Sequence, residues 1–346
     1  MKFLDLFAGI GGFRLGMESA GHECIGFCEI DKFARASYKA IHNTEGEIEL
    51  HDITKVTDDE VRAIGVVDVI CGGFPCQAFS IAGARRGFED TRGTLFFEIA
   101  RFASILKPKY LFLENVKGLL NHDKGNTFKT IIGALDELGY DVEWQILNSK
   151  NFGVPQNRER VFIVGHFRGQ RVRNVFPIFG KNEKSDNQQS KIEIVGNTKN
   201  PSGTGKGTGS NVYNSKGLVG TLCARDYKGL KQIAIPKIRV KEATKQGYAE
   251  ATIGDSINLS YPNSKTRRGR VGKQIANTLL TGESQGVVEP DFRIRVLTPR
   301  EYWRLQGFPD WAFDKAQEVN SNSQLYKQAG NSVTVNVIAA IAKELK

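Results

Sequence analysis

The chain has 346 residues, 40% hydrophobic and 25% charged, ordinary for a globular protein and enough for two domains. No apolar run of about 18 residues occurs, which excludes a helical membrane span. Met1 to Phe7 leads straight into a strand-like segment with no basic head or cleavage site, so a cytoplasmic protein is expected. The net charge of +10 is uneven: residues 181 to 292 hold 18 Lys and Arg against 10 Asp and Glu, the rest 30 against 28. A basic surplus concentrated in one segment points to an anionic partner.

In chain order, Phe3–Phe7 is a short apolar strand ending in glycines, followed by a helix pattern over Phe13–Ala20. Cys24–Cys28 is the next strand and Lys32–Ile41 the next helix. Val66–Cys71 and Tyr110–Leu113 suit buried parallel strands, with helices predicted over Leu95–Leu106 and Thr127–Leu138. Val142–Leu147 and Val161–Val164 are two further strands. The alternation predicts an α/β domain built on a parallel sheet. From Lys181 the composition turns to Asn, Ser, Gly and Lys, then to short β-like runs such as Gln232–Ile235 and Ile275–Leu280. This reads as a smaller, irregular, β-rich domain. After residue 292 the α/β character returns, and Val333, Val337, Ile341 and Leu345 form one face of a closing helix. The division is therefore 1–180, 181–292 and 293–346, the basic segment being inserted into one α/β domain.

Five cysteines, Cys24, Cys28, Cys71, Cys76 and Cys223, show neither zinc-knuckle spacing nor a nearby His pair. Neither a disulfide framework nor a metal site is expected. Cys76 differs in its setting, the loop Gly72-Gly73-Phe74-Pro75-Cys76 directly after a strand. That places it at the carboxyl edge of the sheet, where open α/β folds bind ligands and a thiol can be a nucleophile. Glu114-Asn115-Val116 follows another strand and reaches the same edge. Asp5-Leu6-Phe7-Ala8-Gly9-Ile10-Gly11-Gly12 is a glycine-rich strand-to-helix turn, with Glu29 placed to bind ribose hydroxyls. Arg14 stands where a dinucleotide fingerprint has its third glycine, which disfavours NAD and suits an adenosine ligand without phosphates. Gln156-Asn157-Arg158-Glu159-Arg160 puts two arginines on one strand face. Arg300 to Pro309 and Gln328-Ala329-Gly330-Asn331-Ser332-Val333 complete the set.

These blocks, in this order, resemble the bacterial DNA (cytosine-5) methyltransferases, mostly partners in restriction–modification. The resemblance covers about residues 1–166 and 293–346, and the stretch between corresponds to that family's variable target-recognition region. It implies a Rossmann-like S-adenosylmethionine-dependent methyltransferase domain acting on double-stranded DNA. It implies a cofactor pocket of Phe7, Gly9, Gly11, Gly12, Glu29 and Ile30, joined by Asp52, Ile53, Gly73, Pro75 and Leu95 and completed by Asn331, Ser332 and Val333. It implies Cys76 as nucleophile on carbon 6 of a flipped-out cytosine, Glu114 at ring nitrogen 3, and Arg158 and Arg160 holding the base. The segment Gln77 to Arg92, with Ser80, Arg85 and Arg86, resembles the family's mobile loop over the DNA. In the basic insert, Lys265, Arg267, Arg268 and Arg270 are candidate phosphate contacts, and Arg225 and Asp226 candidate base readers. A monomer is expected, with any restriction endonuclease acting separately. An RNA (cytosine-5) methyltransferase of the same fold is the alternative; the long basic insert, with Thr221-Leu222 and Thr278-Leu279, favours DNA.

Overall fold

The computed structural model describes residues 1–75, 95–169, 174–180, 237–282, 284–291 and 293–346. It also gives the backbone of three short strands, Ile194–Asn197, Asn211–Asn214 and Gln232–Ala234 (β8 to β10).

Seven strands form the main sheet: β1 (Lys2–Leu6), β2 (Glu23–Cys28), β3 (Ile48–Leu50), β4 (Val69–Gly73), β5 (Tyr110–Val116), β6 (Tyr140–Asn148) and β7 (Glu159–Phe167). Their order is β3-β2-β1-β4-β5-β7-β6. β1 pairs parallel with β2 on one side and β4 on the other, and β4 pairs parallel with β5. The chain reverses its direction of winding between β1 and β4, and a crevice opens there at the carboxyl ends of the strands. The expected parallel sheet runs from β3 to β5, while β7 is antiparallel to both β5 and β6. The reason lies in the connection: only residues 149–158, opened by the 3₁₀ turn Ser149–Phe152, separate β6 from β7, too little chain for the crossover that a parallel pair needs.

Helices cover both faces. α1 (Gly12–Ser19), α2 (Lys32–Ile41), α3 (Asp58–Ala63), α4 (Leu95–Leu106) and α5 (Asn126–Glu137) connect the strands. α6 (Pro299–Leu305), α7 (Asp310–Gln317), α8 (Asn322–Asn331) and α9 (Val335–Ala342) follow the insert. α9 delivers the expected apolar face: Val337, Ile338 and Ile341 join Phe13 and Met17 of α1 over Phe3, Val69 and Phe112 of the sheet. The close approach requires Gly16, where a methyl would stand 2.6 Å from Ile338. The opposite face is filled by Phe96, Ile99, Phe102 and Leu135 against Leu4, Ile70 and Leu111. A third cluster gathers around Trp303, with Phe308, Phe313, Leu325 and Ala329 from α6 to α8. Ala276 and Leu279 of the insert belong to that same cluster.

The insert is β-rich, as its composition suggests. β11 (Ile238–Lys241) pairs with β12 (Tyr248–Ala251), while β13 (Ser256–Asn258), β14 (Val271–Gly272) and β15 (Gln285–Val288) form a four-stranded sheet with β16 (Ile294–Val296), which lies just past residue 292. The expected β-like run Ile275–Leu280 forms no strand; it makes a single parallel bridge to the chain, from Ala276 to Gln156. Among the described residues no helix is long and apolar enough to cross a membrane.

Candidate active site

A cavity of about 480 Å³ opens at the carboxyl edge, where β1, β2, β4 and β5 end, within the range of small-molecule sites. The turn after β1 puts Phe7 in the left-handed region at φ 55° and Gly9 at φ 58°, conformations costly for a non-glycine residue such as Phe7. In return the backbone N–H of Gly9 points at Glu29, donating to its Oε2 at 2.8 Å. The Asp31 N–H donates to Oε1 at 2.7 Å. Burial pushes the Glu29 carboxyl up, against the pull of these two amides. Each oxygen keeps a free lone pair, which suits two neighbouring hydroxyls. Ile30 beside it is 67% exposed and lines the cavity, an apolar side chain open to a flat ring. Asp52 lines the same wall, its Oδ1 accepting from the Thr54 N–H and hydroxyl, and Ile53 packs beneath.

The other end of the cavity is charged. β4 and β5 are neighbours in register Gly73↔Glu114, and a methyl at Gly73 would stand 3.2 Å from Glu114 Oε2. Arg160 Nε pairs with Glu114 Oε1 at 2.9 Å across the β5–β7 ladder. Burial raises the Glu114 carboxyl above its ordinary range, with Arg160 and then Arg158 opposing the rise. Arg158 is 2% exposed; its Nη2 donates to the carbonyls of Ser332 at 2.8 Å and Gly330 at 3.2 Å. Its Nε and Nη1 are buried without a partner, two donors left for a further acceptor. Asn115 Nδ2 donates to the Phe74 carbonyl at 2.8 Å, so β5 fixes the chain at Phe74.

α8 brings the far end of the chain to the pocket. Gln328 accepts from the Ser37 hydroxyl at 3.0 Å and donates to the Phe33 carbonyl at 3.1 Å, and Lys327 pairs with Asp31 at 2.7 Å. Lys327, Gln328, Gly330, Asn331 and Ser332 then line the wall facing Glu29.

Most residues assigned to the pocket from sequence do line it: Phe7, Gly9, Glu29, Ile30, Asp52, Ile53, Gly73, Pro75, Leu95, Asn331 and Ser332, together with Glu114, Arg158 and Arg160. Gly11, Gly12 and Val333 do not. A methyl at Gly12 would stand 2.8 Å from both Ser332 Oγ and Val333 Cγ2, so these residues pack on one another behind the pocket wall. Gly11 backs on His42, 2.1 Å from its Nε2 if a methyl were added, and its φ of 82° suits glycine. Arg14 is buried and bound to Glu18, Glu47 and the Asn43 carbonyl. Arg270 is also turned inward: 5% exposed, it donates to the carbonyls of Asn258, Lys241 and Pro262. It braces the insert and is not placed at a phosphate-facing surface. Lys265 and Arg268 are exposed, and Arg267 lies over the ring of Tyr261 at 5.7 Å. Cys76, Ser80, Arg85, Arg86, Arg225 and Asp226 lie outside the described residues, as does the segment Gln77 to Arg92. The sequence reading missed Lys327 and Asp31, although an aspartate opening a helix after Glu29 was a visible N-cap signal.

The resemblance implies that Glu29 holds the ribose of S-adenosylmethionine; on that reading Glu29→Ala is expected to raise the dissociation constant of that molecule about tenfold to a hundredfold, since charged hydrogen bonds are each worth roughly 1.5–3 kcal/mol. Calorimetric titration checks this; an unchanged constant would place the ribose elsewhere.

The model of the C-5 cytosine-specific DNA methylase family matches residues 1–346. The chain is 40% identical to the type II methyltransferase M.HpaII of Haemophilus parainfluenzae, over 99% of this chain and 88% of that protein. It is 35% identical to the orphan methyltransferase M.SPRI of Bacillus phage SPR, over 100% of this chain and 97% of that protein. A putative DNA modification methyltransferase from an Escherichia coli prophage shares the fold, with TM-score 0.60 and 21% identity over 99% of this chain and 98% of that one. With the match spanning the whole chain, the protein belongs to the C-5 cytosine-specific DNA methylase family and is a DNA (cytosine-5-)-methyltransferase.

Proposed function

We propose that the cavity binds S-adenosylmethionine at its Glu29 end and a flipped-out cytosine at its Glu114 end, and that residues 181–292 choose the DNA sequence. The observation that carries this is the pairing of two chemistries in one cavity. A carboxylate with free lone pairs beside an exposed apolar side chain fits an adenosine. A buried, guanidinium-backed carboxyl fits a heterocycle with a basic nitrogen and a carbonyl. Glu29 would hold the ribose, with Ile30 and Phe7 against the adenine. The uncrowded Gly9, with nothing within 4 Å of its side-chain position, leaves room along the backbone. When bound, S-adenosylmethionine supplies the methyl group.

Carbon 5 of cytosine is a weak nucleophile. The Cys76 thiolate adds to carbon 6, forming the C–S bond, and the ring electrons move toward nitrogen 3, where Glu114 gives or shares a proton. Carbon 5 is then the electron-rich carbon of an enamine. Arg160 keeps Glu114 oriented through their 2.9 Å contact, and the unpartnered nitrogens of Arg158 can hold the base carbonyl. After methylation a base takes the carbon 5 proton, the C–S bond breaks, and the nitrogen 3 proton returns to Glu114. The duplex hides carbon 5, so the base must leave the stack.

Three features support the insert as the sequence-reading part: its excess charge, its β-rich structure and its absence from every block that carries chemistry. The exposed Arg268 and Lys265 are candidates for phosphate contacts, which orient without reading. A modification role follows, any endonuclease of the same specificity being blocked by the mark. The test is bisulfite sequencing of DNA from expressing cells, first with this chain and then with residues 181–292 exchanged for those of a relative of different specificity. Methylated cytosines in one short sequence are expected, changing with the exchange. An active chimera that keeps the original sequence would refute the assignment of the insert.

A further inference from the structure

Two buried amide side chains join the insert to both ends of the cavity. Gln156 is fully buried two positions before Arg158. Its Oε1 accepts from the Leu279 N–H at 3.3 Å, and its Nε2 donates to the Leu305 carbonyl at 2.8 Å and to Gln306 Oε1 at 3.2 Å. Gln306, equally buried, donates through Nε2 to the carbonyls of Ala329 at 2.7 Å and Ser332 at 3.2 Å, and accepts from the Thr334 hydroxyl at 2.9 Å. The Ser332 carbonyl is the same one that receives Arg158 Nη2. One acceptor on the cofactor wall is therefore shared by an arginine of the Glu114 end and by a glutamine wired to the insert.

The insert is fastened to this network along its backbone as well. The Ala276 N–H donates to the Pro155 carbonyl at 2.8 Å, the Asn157 N–H to the Ala276 carbonyl at 2.9 Å, and the Thr278 hydroxyl to the Asn157 carbonyl at 2.8 Å. The Leu280 carbonyl backs on Gly330, where a methyl would stand 2.5 Å away. Buried amides have no water to turn to, so a displacement of residues 276–280 must be answered by Leu305, Gln306 and Ser332 or leave polar groups unpaired.

We propose that Gln156 and Gln306 are positioning residues that couple DNA engagement by the insert to the cofactor wall at Ser332 and to Arg158. The proposal rests on the reading of residues 181–292 as the DNA-reading segment. Seating the insert on its DNA fixes Leu279; Gln156 and Gln306 pass that placement to Ser332, and the cofactor site tightens.

The test is a binding cycle. S-adenosylhomocysteine is titrated by calorimetry into the free enzyme and into enzyme saturated with a duplex carrying a site mapped by bisulfite sequencing. The unaltered enzyme is expected to bind about tenfold tighter with the duplex present, within the usual range of site-to-site coupling. Gln306→Met and Gln156→Met keep the side-chain volume and delete the amide. In each the gain is expected to fall below about threefold, with the free-enzyme constant changed by less than about threefold. A role in stability alone would move both constants together and preserve their ratio. Full coupling in both variants overturns the proposal, as does the lack of any gain in the unaltered enzyme. If the methionine variants fail to fold, Thr334→Val removes one bond to Gln306 and is judged by the same ratio. Failure of the underlying reading shows separately, in the methylation pattern of the exchanged chimera, which does not depend on this ratio.

Discussion

Cys76→Ala is expected to abolish turnover, by roughly a million-fold as for loss of other covalent nucleophiles, with cofactor and DNA affinities kept within about threefold. Gly73 is in register with Glu114, and the Phe74 carbonyl is pinned by Asn115, so the chain leaves β4 beside the Glu114 carboxyl. Alanine removes the sulfur and little else, since a thiol adds little to binding a base or an adenosine. Single-turnover methylation of duplex DNA, with parallel cofactor titration, checks both halves. A loss of cofactor affinity as large as the loss of rate would mark a structural cysteine instead.

The second large effect is expected at Glu114. Glu114→Gln should slow methylation by about 10²–10⁴-fold, the usual worth of a positioned proton donor. Glutamine keeps the shape and can still meet Arg160, but it has no proton to give. The pH dependence carries the sign. Burial raises the Glu114 carboxyl above the ordinary carboxylate range, so its proton is held at lower pH and lost as pH rises through that raised value. The ratio of wild-type to variant rate should therefore fall with rising pH. Taking the ratio removes the opposite dependence of the Cys76 thiolate, which is common to both. A ratio that stays flat from pH 5 to about 9 would argue that Glu114 acts only as a fixed hydrogen-bond partner.

Much of this was legible in the sequence because the chemistry sits where strands end. Apolar runs point to β1, β2, β4 and β5, and the glycine-rich turn, Glu29, the Gly72-Gly73 loop and Glu114 sit at their carboxyl ends, whereas the arginine block leads into β7 and the two late blocks fall in α6 and α8. β3 escaped notice because Ile48-Glu49-Leu50 is three residues long with a charge in the middle. The direction of β7 was readable only from the length of the connection before it, not from its own composition. Gly12 and Val333 carry a glycine signal and a motif signal that look like ligand contacts; in the structure they pack on each other, across a separation in sequence that no local pattern encodes. Charge alone points Arg270 to the surface, while the structure turns it onto three carbonyls. Gln156 and Gln306 stood within quoted blocks, but they meet across 150 positions of sequence. Long-range amide contacts leave no periodicity, although a buried glutamine must find a partner somewhere in the fold.

The most direct measurement of the central claim uses a duplex in which the cytosine at a mapped site is replaced by 5-fluorocytosine. Fluorine cannot depart as a cation, so release of Cys76 stalls after the methyl group is added. Incubation with S-adenosylmethionine is expected to give a protein–DNA adduct that survives a denaturing gel, that requires the cofactor, and that Cys76→Ala abolishes. A duplex that is methylated normally with cytosine, yet gives no adduct with 5-fluorocytosine and cofactor, would contradict covalent attack at carbon 6.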